Sequence, residues 1–231
     1  MPDRAPPAAP PWWLVLVALA LSVAITLDVH FQGPLAHLDR RIADRMAEWD
    51  LRHDAVPRAL LTLLLYFGQR GVVLTLAVAL AAWLAWRHRT LEPAVRLVVA
   101  LVLIAAVIYA FKYGMPRTAP LGVAQGRPLN DGESYPSGHV ANAVVLWGWA
   151  QWCVARWSVP SALRRAIVIG RWIAPLAVAI GMTLLNYHWL SDYLGAAAMG
   201  IVLLAITLAP GWTRPAEWLD GRSGLRSVAT P

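Results

Sequence analysis

Three short polar stretches in an otherwise apolar chain carry residues suited to chemistry. They are Lys112–Tyr113–Gly114–Met115–Pro116–Arg117, Tyr135–Pro136–Ser137–Gly138–His139, and Asn186–Tyr187–His188–Trp189–Leu190–Ser191–Asp192. Cations in the first, a histidine in the second and a His–Asp pair in the third suit phosphoryl transfer, which needs positioning and charge neutralisation above all. His188 and Asp192 are four residues apart, so a helical turn sets them on one face. A carboxylate bonded to one ring nitrogen fixes the tautomer and leaves the other nitrogen to attack. His139 can then protonate the leaving oxygen. Ser137 and Gly138 stand where an apolar run begins; the free N–H groups of a helix start bind anions, and Gly lets the backbone approach closely.

Singly, each stretch has a plainer meaning. A Lys at a helix end snorkels to the interface, an H-x3-D pair is often only a hydrogen bond, and P-S-G-H reads as a turn before a helix. Their conjunction points to chemistry. His139, His188 and Asp192 are ligand types that suit zinc, but a metal would leave Lys112 and Arg117 unexplained and set cation beside cation. A Ser137 hydrolase would want the G-x-S-x-G elbow, which is absent. Neither metal nor cofactor is expected. His30, His37, His53 and His88 fall in loops or surface segments and receive no role.

The elements that must position these residues belong to a membrane protein. Hydrophobic residues make up 58% of the 231, charged ones only 14%, against roughly half and a quarter in soluble domains. Thirteen Trp fit membrane–water interfaces. Six runs approach the ~20 residues a span requires: 12–29, 69–87, 94–112, 140–157, 171–187 and 193–210. The expected fold is an all-α bundle of six transmembrane helices. In it, residues 1–11 form an N-terminal tail, 12–210 the membrane domain, and 211–231 a disordered tail rich in Pro, Gly and Arg. The first run has some features of a signal peptide, but it continues unbroken to Val29 and reads as a retained helix. Between the first two runs, Asp39, Arg40, Arg41, Asp44, Arg45 and Glu48 alternate with Leu38, Ile42, Met46 and Trp49 at helical spacing, the pattern of an interfacial amphipathic helix. The piece 59–67 is too short to span. Cys153 has no partner for a disulfide.

The net charge of +7 does not indicate nucleic acid, because the basic residues lie between apolar runs and not on one face. Arg87, Arg89 and Arg96 after the second run, and Arg156, Arg164, Arg165 and Arg171 after the fourth, place those loops in the cytoplasm. All three polar stretches then meet at the extracytoplasmic face.

The three stretches resemble the motifs of the type 2 phosphatidic acid phosphatase superfamily of membrane lipid phosphatases: K-x6-R-P, P-S-G-H and S-R-x5-H-x3-D. The resemblance covers residues 91–210. Pro136–Ser137–Gly138–His139 matches in full, as do Lys112, His188 and Asp192, and Arg117 falls on an arginine that many members carry. The resemblance implies a metal-independent hydrolase of a lipid phosphate or diphosphate. His188 would form a phosphohistidine, Asp192 orient it, His139 act as general acid, and Lys112, Arg117, Ser137 and Gly138 hold the phosphate. The partners it implies are a lipid phosphate substrate and the cell membrane, crossed several times. Two arginines of the pattern are missing: Ala119 precedes Pro120 in the first motif, and Gly181–Met182 replace S-R in the third. Arg127 is the candidate replacement cation. These departures keep two alternatives in view, a lipid head-group phosphotransferase and a non-catalytic lipid-binding scaffold.

Overall fold

The computed structural model describes residues 9–120 and 134–223, together with the backbone of 123–124 and 127–128. The chain is almost wholly helical, in the order α1 (Trp12–His30), α2 (Pro34–Trp49), α3 (Ala55–Leu65), α4 (Arg70–His88), α5 (Glu92–Gly114), α6 (Gly138–Arg156), α7 (Ser161–Leu184), α8 (Leu190–Thr207) and α9 (Thr213–Arg222). Between α5 and α6, residues 123–124 and 127–128 pair as a minimal antiparallel ribbon.

Among the described residues, five stretches are long and apolar enough to cross a membrane: α1, the α3–α4 stretch Ala55–His88, α5, α7 and α8. Their outer faces expose large apolar residues, among them Leu16, Leu27, Val98, Val102, Ile173 and Leu176. Such a surface belongs in lipid. The fourth expected run, now α6, is not among the five, because His139, Asn142, Gln151 and Arg156 lower its hydropathy. It is enclosed instead: most of its residues are buried, Trp149 and Cys153 completely, and it packs against α4, α5, α7 and α8. A helix ringed by protein can carry polar groups that a lipid-facing helix cannot.

The helix ends follow local signals. Pro34 opens α2 in the first turn, where its missing N–H costs nothing. Asp50 and Arg89 take left-handed conformations that stop α2 and α4. Helix α7 ends in a Schellman motif, with Tyr187 N–H on Met182 O and Asn186 N–H on Thr183 O, each 2.9 Å, and Asn186 left-handed at φ 55°.

Three expectations need correction. Helix α7 starts at Ser161 and not near 171, because Pro160 and Ser161 initiate a helix ahead of the apolar run; Arg164 and Arg165 therefore lie on a helix and not in a loop. Arg96 and Arg156 are buried against Glu92 and are not loop cations. The segment expected as a disordered tail forms α9 over residues 213–222. The carboxylate of its Asp220 accepts the Leu91 N–H at 2.7 Å and the Thr90 hydroxyl at 3.0 Å, capping α5 from a distance.

Candidate active site

The C-terminal end of α5 and the N-terminal ends of α6 and α8 meet at one end of the bundle, with α2 laid against them. The polar stretches thus assemble as the order of helices requires. His188 sits in the turn that the Schellman motif directs toward α8. Its Nδ1 is 3.0 Å from Asp192 Oδ2, and both side chains are buried. Asp192 is the third residue of α8, and Oδ2 also accepts the Trp189 N–H at 3.1 Å, as an N-terminal cap. The Ser134 hydroxyl donates to Oδ2 as well and lies 3.2 Å from His188 Nδ1. This set of bonds commits Nδ1 to Asp192 and leaves Nε2 outside it.

His139 stands in the first turn of α6, directly after Gly138. Ser137 caps α6; its N–H donates to the backbone carbonyl of Asp192 at 3.1 Å, which ties the first turns of α6 and α8 together. The Ser137 hydroxyl is fully buried and has no hydrogen-bond partner among the described residues. A Cβ placed on Gly138 would meet only Ile108, at 4.0 Å, so packing does not demand glycine there. Gly68 and Gly195 are different. A Cβ on Gly68 would stand 2.4 Å from the His139 carbonyl oxygen, and one on Gly195 2.5 Å from the Tyr135 hydroxyl. Those glycines let α6 and Tyr135 settle against their neighbours. Burial pushes the Tyr135 hydroxyl above its ordinary pKa, so it stays neutral and bonds Thr26 of α1 at 2.8 Å.

The resemblance implies a phosphate ligand in Arg117; in this structure both of its terminal nitrogens face carboxylates: one bonds Asp192 Oδ1 and the Ser191 hydroxyl, each at 2.7 Å, and the other Asp39 Oδ2 at 2.7 Å. Its guanidinium lies over the Trp189 ring, 5.1 Å from the centroid. The positions of the two missing arginines are closed by packing. Ala119 and Met182 are buried, and a Cβ on Gly181 would meet Leu65 at 2.7 Å. The side chain of Arg127 lies outside the described residues.

Three site residues escaped the sequence reading: Ser134, Ser191 and Asp39. Asp39 had a visible signal. It is the one acidic member of the stripe Ala36, Asp39, Ala43 that α2 buries, and a carboxylate on a small-residue face wants a cation.

Fold and site together define an all-helical, multi-pass membrane protein with a His–Asp pair at a convergence of helix ends. A family model for the PAP2 superfamily matches residues 93–215, and the chain belongs to that superfamily. Among solved structures, it is similar to a transmembrane PAP2-type phosphatidylglycerolphosphate phosphatase from Bacillus subtilis. The identity is 18%, the TM-score 0.73, and the match covers 88% of this chain and 97% of that one. At that identity the likeness is one of fold. No curated protein matches the chain by sequence.

Proposed function

We propose that the protein hydrolyses a lipid phosphate or diphosphate through a phosphohistidine on His188, without a metal. The observation that carries this reading is the buried His188–Asp192 pair, 3.0 Å between Nδ1 and Oδ2, beside the N-terminus of α6. Nε2 of His188 attacks phosphorus as the bond to the lipid oxygen breaks, and His139 gives that oxygen its proton. Water then attacks the phosphohistidine, His139 takes the proton, and inorganic phosphate leaves with His188 restored.

Lys112, the Ser137 hydroxyl and the N–H groups around Gly138 hold the phosphate oxygens. The buried, unpartnered Ser137 hydroxyl supports this, since such a group gains a partner when an anion arrives. Arg117, engaged by two carboxylates, orients Asp192. The same engagement favours chemistry without a metal: a cation bound to Asp192 would displace a guanidinium and several other donors. In this reading α1, α4, α5, α6, α7 and α8 span the cell membrane, α2 lies at its surface, and the site faces the extracytoplasmic side.

Purified protein should release phosphate from members of a panel of lipid phosphates and diphosphates, in EDTA and with inhibition by vanadate. His188→Ala should release none. Activity that disappears in chelator and returns with a divalent ion contradicts the mechanism.

A further inference from the structure

We infer that Asp39, on α2, is a positioning residue that holds the catalytic pair in register through Arg117 and Ser191. The inference rests on the reading of His188 and Asp192 given above. Asp39 is 1% exposed, in a helix whose other charged side chains mostly face outward. Its Oδ1 accepts the Ser191 N–H at 2.9 Å. That N–H belongs to the first turn of α8, where the helix itself provides no acceptor, so Asp39 caps α8 from another element. Its Oδ2 accepts from the Ser191 hydroxyl and from Arg117. The Ser191 hydroxyl in turn accepts from the Arg117 nitrogen that reaches Asp192 Oδ1.

The result is a closed loop of charge-assisted bonds, Asp39–Arg117–Ser191, from which the Arg117 nitrogen shared with Ser191 also reaches Asp192. Arg117 follows α5 on an irregular segment and has no helix of its own to hold it. One carboxylate would leave its guanidinium free to swing, whereas two carboxylates on different helices fix both of its ends. Asp192 Oδ1 then has a stationary partner, and the plane of the carboxylate that orients His188 is set. Asp39 touches neither His188 nor any atom placed on the phosphate; it acts through Arg117. The same loop makes α2 part of the active site, although none of the three sequence motifs includes it.

Asp39→Asn tests this. Asparagine keeps an acceptor for the Ser191 N–H but turns an NH2 group toward Arg117, where a donor is already present. On the lipid phosphate that the wild type hydrolyses best, kcat should fall about ten- to a hundredfold while KM changes less than about threefold. Phosphoenzyme formation should slow by the same factor as kcat. In an Arg117→Gln background, the added Asp39→Asn change should cost much less than it does alone, because its target is gone. Wild-type kcat in Asp39→Asn, or a cost that is fully additive with Arg117→Gln, overturns the inference. So does a lowered thermal midpoint with unchanged kcat per folded molecule, which is the signature of a purely structural role. An active His188→Ala control would instead show that the reading of the site, and not the role of Asp39, is at fault.

Discussion

Two buried ion networks occupy opposite ends of the bundle, and they differ in what they leave unmet. At the end away from the site, Glu92 receives Arg96 on Oε1 at 2.9 Å and Arg156 on Oε2 at 3.1 Å. Arg96 spends its remaining donors on the carbonyls of Thr207 and Ala209 and on the Thr213 hydroxyl, and lies 4.5 Å from the Trp152 ring centroid. That knot joins the start of α5, the end of α6 and the end of α8. Its one carboxylate is shared by two guanidinium groups, with helix carbonyls filling the deficit. At the site the ratio is inverted: two carboxylates share Arg117, His188 is held through Nδ1, and the buried Ser137 hydroxyl has no partner among the described residues. The far network meets its carboxylate with cations and so holds the fold; in the proposed reading, the inverted arrangement at the site is prepared for a ligand.

Breaking each network should therefore have different consequences. Glu92→Ala leaves two buried guanidinium groups without their carboxylate, a loss of roughly 3–5 kcal/mol for a buried pair deprived of one partner. The yield of folded protein and its denaturation midpoint should drop sharply. The molecules that do fold should keep near-normal kcat, because nothing at the His188 end has changed. If turnover per folded molecule falls instead, the two ends are coupled and the contrast between them is too simple.

Ser134→Ala sharpens the comparison from the other side. It removes one hydrogen bond to a charged carboxylate, worth ~1.5–3 kcal/mol, while Asp192 keeps Arg117, His188 and the Trp189 N–H. The stability loss should stay below that of Glu92→Ala, while kcat should decline by about an order of magnitude, since Ser134 only helps to align the pair. Steady-state kinetics beside thermal unfolding will separate the two quantities. A variant that unfolds readily yet turns over normally would move Ser134 into the structural class.

Much of this was legible in the chain. Long apolar runs announced the bundle, and the spacing of Lys112, His139, His188 and Asp192 announced which helix ends must meet. What escaped was mostly tertiary. The buried state of Arg96 and Arg156 depends on Glu92 being brought to both, at separations of four and 64 residues. Run-by-run reading took them for loop cations. Ser161 was missed as a helix start because the apolar pattern of α7 begins a full turn and more beyond its cap. Asp220 looked like part of a polar tail, yet it closes the N-terminus of α5. The resemblance points Arg117 at the phosphate, and only Asp39, contributed by a helix outside the motifs, shows what its second nitrogen holds here.

The central claim is that His188 is the nucleophile of a phosphoryl-transfer site. It is tested most directly by trapping the covalent intermediate. Wild-type protein should be mixed with a phosphorus-labelled lipid phosphate that it hydrolyses, quenched in alkali, digested, and the label located by mass spectrometry. The account predicts an acid-labile, alkali-stable phosphate on the peptide that contains His188, absent in His188→Ala. Label on Ser137 or His139, or a phosphoenzyme that persists in His188→Ala, would contradict it.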